Sequence, residues 1–231
     1  MLNKTNANPA LLMSVNDLHA RLGDENLCIV DSRASHVFAA GHIPGAVHLD
    51  LYGISLNNTS EEAFGAFMWM FQYLLGSRGI GSDKTVVWYE DDSGMRAARG
   101  FWVCEYFDHR DVHMLDGGLT AWQAAGYEVT TDCAAPEPAA LLGDPMPERS
   151  VGADTLNGML GREDVVPLDT RSEGEYYGTA VRAARGGAIP GAVHVEYVQN
   201  LAADGRFKSI EELQAMYEGL GVTPEKEIVP Y

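Results

Sequence analysis

The chain has 231 residues, enough for one large domain or two small ones, and its 46% hydrophobic content is enough to fill sizeable cores. Asp and Glu outnumber Lys and Arg 33 to 16, and the net charge of -17 repels nucleic acid and anionic membrane, so neither is expected as a partner. The opening MLNKTNANPALLMSV lacks the apolar core of a signal peptide, no apolar run is long enough to span a bilayer, and three cysteines at unrelated spacings suit neither a disulfide framework nor a zinc site, which together predict a reduced, cytoplasmic protein.

In chain order, Ser14 to Asp17 reads as a capped helix start, with Leu18 and Leu22 on its apolar face. LCIV (27–30) is a short buried strand, and Pro44-Gly45 is turn chemistry ahead of a strand over AVHLD (46–50). EEAFGAFMWMFQYLLG (61–76) is a helix that is apolar over most of its surface. TVVWY (85–89) is a continuous apolar strand, the pattern of a central strand in a parallel sheet. A helix over 94–107, a strand over VHML (112–115) and a helix over 118–126 follow. Strands that alternate with helices imply an α/β domain, a mostly parallel sheet with helices on both faces. The segment TTDCAAPEPAALLGDPMPE, with prolines at 136, 138, 145 and 147, has linker composition.

The chain then repeats itself. Leu22 to Arg33 aligns without gaps on Leu160 to Arg171, each an apolar strand that ends in Asp-x-Arg. HIPGAVH (42–48) matches AIPGAVH (188–194) at six of seven positions, and Gly79 to Tyr89 pairs with Gly221 to Tyr231. Three matches in the same order indicate two copies of one domain. The expected organisation is a first domain over 1–126, a linker over 127–149 and a second domain over 150–231. The offset grows by eight residues between the first two matches, so the second copy carries an insertion in or near YYGTAVRAARGG (176–187). Domain 1 continues past Tyr89 through a loop, a helix, a strand and a helix, whereas the given chain stops at the counterpart of Tyr89. The second copy is therefore expected to be incomplete here, with the whole protein running to roughly 270 residues.

Ligands of open α/β sheets bind beyond the carboxyl ends of the strands, where a strand-to-helix loop gathers backbone N–H groups around an anion and lowers a thiol's pKa. In the first copy that loop begins Glu90-Asp91-Asp92. Three successive carboxylates predict a solvated acidic turn and a non-catalytic copy.

DSR…AAGHIPGAVHLD, DTRSEGEYYG…GGAIPGAVHVEY and KEIVPY together resemble the tandem-domain rhodanese family, the thiosulfate and 3-mercaptopyruvate sulfurtransferases. The resemblance covers almost the whole chain. It implies two rhodanese-like domains, of which the first is an inactive duplicate with an acid where the second has cysteine, and Glu90 fits that pattern. It implies a nucleophilic cysteine immediately after Tyr231. It also implies ping-pong transfer of a sulfane sulfur, through a cysteine persulfide, from a small anionic donor to cyanide or a thiol, with no metal and no cofactor. In the mercaptopyruvate branch an arginine near the insertion binds the donor carboxylate, which points to Arg182 and Arg185; a solvated basic turn is the alternative. That branch also has an arginine where this chain has Glu175 before Tyr176, which weakens the mercaptopyruvate assignment. His42 becomes Ala188 in the second copy, so a catalytic role for His42 is not expected. Asp169 and Arg171 recur as Asp31 and Arg33 in the copy without a nucleophile, so an ion pair that anchors the loop is their expected role. Cys28 and Cys104 read as buried packing residues and Cys133 as an exposed thiol that nothing nearby activates. Two other functions stay open: a non-catalytic rhodanese-like binding module, and a phosphatase of the related fold with a longer cysteine loop.

Overall fold

The computed structural model describes residues 11–133, 135–140 and 143–231. The start of the chain and residues 134, 141 and 142 of the expected linker lie outside the described residues. The chain divides into two compact units, Met1–Arg149 with Asp204–Arg206, and Ser150–Ala203 with Phe207–Tyr231.

Unit 1 contains β1 (Leu12–Met13), α1 (Val15–Ala20), β2 (Leu27–Asp31), α2 (Ser35–Ala40), β3 (Val47–His48), α3 (Glu61–Ser77), β4 (Thr85–Tyr89), α4 (Met95–Tyr106), β5 (Val112–Leu115) and α5 (Gly118–Ala124). The strands form one parallel sheet in the order β1-β5-β4-β2-β3, so the fully buried TVVWY strand is central, as its unbroken apolar run predicts. Side chains alternate across that sheet. Ile29, Val87, Tyr89 and Leu115 pack with Leu18 and Trp122, while Val86 and Trp88 point the other way. A Cβ on Gly100 of α4 would overlap the Trp88 ring, so the helix lies directly on that indole because glycine is there. Trp88 in turn donates its Nε1–H to Cys104 Sγ at 3.4 Å.

Ser14 caps α1 by accepting from the Asp17 N–H at 3.1 Å, as its position predicts. Two elements escape the sequence pattern. β1 is two residues long and exists through its parallel pairing with β5, and α2 has no capping side chain to announce it. The strand expected over 46–50 shrinks to Val47–His48. α3 spans its expected range, but only one stripe of its apolar surface, including Met68, Phe71 and Leu75, is buried.

Unit 2 contains α6 (Ala153–Met159), β6 (Val165–Asp169), α7 (Glu173–Tyr176), β7 (Val193–His194), α8 (Ile210–Gly219) and β8 (Glu227–Pro230). Its described strands pair in parallel in the order β7-β6-β8, which repeats the order β3-β2-β4 of unit 1. Val166, Leu168, Val195 and Val222 form one small core cluster, and Leu156, Val165 and Val229 form another. The stretch read as a linker lies along unit 1: Thr130 and His42 exchange both backbone hydrogen bonds at 2.9 Å, Ala139 N–H donates to Gly76 O, and Met146 N–H donates to Tyr106 O.

Candidate active site

The carboxyl ends of β2 and β4 meet in a clamp. Arg33 donates its backbone N–H and Nε–H to Asp31 Oδ1 at 2.9 and 3.0 Å and its Nη2 to Oδ2 at 2.6 Å. The same Nη2 reaches Gly41 O at 2.7 Å, and the guanidinium carbon lies 5.8 Å from the centre of the Tyr89 ring. The Tyr89 hydroxyl accepts the Ile43 N–H at 3.1 Å, which ties the HIPGAVH turn to the end of the central strand. Ser32 donates its N–H and its hydroxyl to Tyr89 O at 2.9 and 2.8 Å.

Unit 2 repeats these contacts, with Thr170 in the place of Ser32. Arg171 donates its N–H and Nε–H to Asp169 Oδ1, each at 3.0 Å, and Nη2 to Oδ2 at 2.6 Å. Its Nη2 also reaches Gly187 O at 3.0 Å, and its guanidinium lies 5.1 Å from the Tyr231 ring centre. Ile189 N–H donates to the Tyr231 hydroxyl at 2.9 Å, while Thr170 donates its N–H and hydroxyl to Tyr231 O. His48 and His194 each bring Nε2 to the carbonyl of the clamp arginine, at 2.8 and 2.9 Å. Burial alone pushes the Asp169 carboxyl up, but the hydrogen bonds from Arg171, with a further one from Tyr231, hold it below the usual carboxylate value. The Asp169 hydrogen bonds raise the Arg171 guanidinium in turn. Over residues 1–231 the Arg33 side chain, with Asp91 of the following loop against it, is 5% exposed and that of Arg171 is 34% exposed.

Beyond Tyr89 the acidic loop departs from the solvated turn expected of it. Asp91 is exposed and lies 3.4 Å from Arg33 Nη1, but the Glu90 side chain turns inward. Its Oε1 accepts the backbone N–H groups of Arg96 at 2.7 Å and Ala97 at 3.3 Å, two of the free donors in the first turn of α4. A Cβ at Gly94 would lie 2.5 Å from that oxygen, so the close approach needs glycine. The loop itself hangs on a second helix start, since Leu119 and Thr120 of α5 donate their N–H groups to Glu90 O and Asp91 O at 2.8 Å. Asp92 is half-buried. Ser93 closes the loop: it donates to Asp116 Oδ1 at 3.3 Å and accepts Gly117 N–H at 2.7 Å. Burial raises the Glu90 carboxyl above its ordinary value, with the two N–H donors pulling it back. The correction to the expected solvated turn is confined to Glu90: its carboxylate is itself the anion that the helix start holds. Sequence spacing carried no signal for it, because Glu90, Arg96 and the α5 start meet only when β4, α4 and α5 are packed.

Arg182 and Arg185 lie in the irregular stretch after α7, both exposed. Arg182 Nε is 3.2 Å from Glu175 Oε1, and the Glu175 carboxylate is shared with Ser172, whose hydroxyl donates to Oε2 at 2.6 Å. The Ser172 hydrogen bond, with help from Arg182, holds Glu175 below its ordinary value. The Tyr176 ring stacks on His194 with centroids 4.5 Å apart. His42 is fully buried with Nδ1 at 2.9 Å from Phe38 O and Nε2 at 3.2 Å from Asp132 O, a fastener between α2 and the stretch that follows α5. Burial pushes the thiols of Cys28 and Cys104 up to about 12, while Cys133 is exposed. No group of three or more His, Cys, Asp or Glu among the described residues converges on a metal-sized site.

The family model for the rhodanese-like domain matches residues 14–125. The thiosulfate sulfurtransferase of Azotobacter vinelandii is 33% identical over 221 residues, which cover 96% of this chain and 82% of that protein. The chain belongs to the rhodanese family. A probable 3-mercaptopyruvate sulfurtransferase of Pseudomonas aeruginosa is 31% identical, over 96% of this chain and 84% of its own length. The rhodanese fold is also seen in SseA from Escherichia coli, a 3-mercaptopyruvate sulfotransferase, with a TM-score of 0.80 at 23% identity over 96% of this chain and 87% of SseA. The ergothioneine-bound EanB/Y353A structure shares the fold at a TM-score of 0.76 and 22% identity, and this chain spans 60% of it. Relatedness over nearly the whole chain makes this a rhodanese-type sulfurtransferase. Among the described residues no helix is long and apolar enough to cross a membrane.

Proposed function

We propose that sulfur transfer runs through a cysteine persulfide in unit 2, at the position that follows Tyr231 and is equivalent to Glu90. The observation that carries this reading is the Glu90 carboxylate, 2.7 Å from the Arg96 N–H. The residue after the strand-end tyrosine places a negative atom on the first turn of a helix, and a thiolate in the same position gains the same donors. The clamp that sets the end of β4 is repeated around Tyr231, so the strand end in unit 2 is oriented in the same way.

In the proposed reaction the thiolate attacks the outer sulfur of thiosulfate. A new S–S bond forms, the old one breaks, and sulfite leaves with the electron pair. Cyanide carbon, or an acceptor thiolate, then attacks the terminal sulfur and returns the enzyme thiolate. With 3-mercaptopyruvate the attacked sulfur is the donor's own, and the pair leaves on carbon. Loop N–H groups stabilise thiolate and persulfide alike, and no cofactor takes part. Arg182 and Arg185 supply local positive potential for an anionic donor, against a net charge of -17. Glu175 stands where the mercaptopyruvate branch has an arginine and already engages Arg182, so this stretch lacks that branch's second cation and we read thiosulfate as the donor. The three free thiols fit a reducing compartment, and we place the protein in the cytoplasm.

Thiosulfate-dependent production of thiocyanate tests the activity. Intact mass of the full protein after thiosulfate should rise by about 32 Da and fall back with cyanide. An adduct that maps to Cys28, Cys104 or Cys133 would overturn the assignment.

A further inference from the structure

The outer face of α3 does not look like a solvated helix face. Its inner stripe is buried, yet the opposite stripe carries Gly65, Ala66, Trp69 and Tyr73, all exposed. Trp69 is 64% and Tyr73 61% exposed, with their rings near-parallel and centroids 6.2 Å apart. Scattered apolar residues on a surface need no explanation, but two large aromatic rings one turn apart on the same stripe form a patch. Gly65 adds to the anomaly. It is a poor helix former inside a helix, its φ is not positive, and nothing lies within 4 Å of where its Cβ would be. Neither a turn nor a close contact within the chain calls for a glycine there.

The stripe is complementary to itself. α3 runs Glu61–Ser77, so Trp69 is its midpoint, with Gly65 four residues before and Tyr73 four residues after. Laid antiparallel across a second α3 on a two-fold axis through Trp69, the large Tyr73 of each copy falls on the gap left by the partner's Gly65. The two Trp69 rings meet on the axis. An isologous contact needs this reciprocity, because residue i must suit residue j in both directions. The antiparallel crossing also opposes the helix dipoles and brings Glu61 and Glu62 toward the C-terminal end of the partner's helix, which Arg78 caps.

We propose that the protein self-associates through α3 as an antiparallel two-fold dimer, with Trp69 and Tyr73 as anchors and Gly65 as the receiving gap. One helix face is a small interface, and a net charge of -17 on each copy opposes association. The dimer is therefore weak, with a Kd on the order of 10–100 µM, and it tightens as salt screens the repulsion between copies.

Sedimentation of the full chain from about 5 to about 200 µM, at low and high salt, tests this. The expected result is a monomer–dimer equilibrium favoured by high salt. Trp69→Ala should weaken it at least tenfold. Gly65→Gln should abolish it while the thermal midpoint stays level or rises, because glutamine is the better helix former and only the gap is lost. A wild-type chain that stays monomeric across this range overturns the proposal. So does a dimer that survives both substitutions. A Trp69 shielded from acrylamide quenching in the monomer would show that the chain itself covers the stripe, and would overturn it too.

Discussion

In the chain of residues 1–231, replacing Asp31 by asparagine should unsettle unit 1 more than Asp169→Asn unsettles unit 2, although both clamps pair an aspartate with an arginine through the same hydrogen bonds. Asp31 is fully buried and supplies the negative charge opposite an Arg33 side chain that is 5% exposed. Once that charge is gone, Arg33 keeps Gly41 O at 2.7 Å and the exposed Asp91 at 3.4 Å, neither of which replaces a bidentate carboxylate. Stranding a buried cation costs about 3–5 kcal/mol. Over the same residues Arg171 is 34% exposed and can turn to water, so Asp169→Asn should cost about 1.5–3 kcal/mol, the scale of lost hydrogen bonds to a charged group. Urea unfolding followed by tryptophan fluorescence reads unit 1 alone, because Trp69, Trp88, Trp102 and Trp122 all lie in it. Amide exchange along β6 reads unit 2. Combining Asp31→Asn with Arg33→Met removes the stranded charge and should recover part of the loss. Equal costs for the two asparagine variants, or a cost below about 1 kcal/mol for Asp31→Asn, would refute the argument from burial.

Glu90→Gln should stabilise unit 1 at pH 7 and leave it unchanged below pH 4. The folded-state pKa of Glu90 is raised above its ordinary value of 4.5, so the charge costs stability as pH rises through that window, and glutamine carries no charge while keeping an oxygen for the Arg96 and Ala97 N–H groups. Paired urea melts at the two pH values check this, and a loss of stability at pH 7 would count against it. Asp169 has the opposite sign: its lowered pKa adds stability above the ordinary value of 3.8 that is lost as pH falls through the folded value, so Asp169→Asn should flatten the acid limb of unit 2 in β6 amide exchange. Of the three cysteines, Cys133 should react with a thiol reagent within seconds in the native state, while Cys28 and Cys104, buried and pushed up to about 12, should react only on unfolding; Cys133→Ser should remove the fast phase. Arg182→Ala with Arg185→Ala should raise the thiosulfate KM about 3–10-fold and leave kcat within about twofold, as loss of uniform electrostatic binding does; an unchanged KM would assign both residues to a solvated turn.

Much of this protein is legible in its residues. Runs such as LCIV and TVVWY place the buried parallel strands, since a strand covered on both faces has no polar side to show. The doubled Asp-x-Arg, IPGAVH and strand-end tyrosine mark both copies of the clamp, because its members are set by local backbone and by parallel register. What the pattern could not supply depends on elements far apart in the chain. β1 is a strand only because β5 lies beside it, and the sequence argues against a catalytic His42 without saying what its ring does, which the carbonyls of Phe38 and Asp132 show. A run of three acids is the composition of a solvated turn, yet Glu90 is drawn inward by free N–H donors at the start of α4, while α5 holds the loop from behind. The unequal burial of Arg33 and Arg171 is of the same kind. One local sequence fixes which atoms pair, but the dielectric around the pair, and with it the energy of breaking it, is decided by whatever the rest of the chain packs over it.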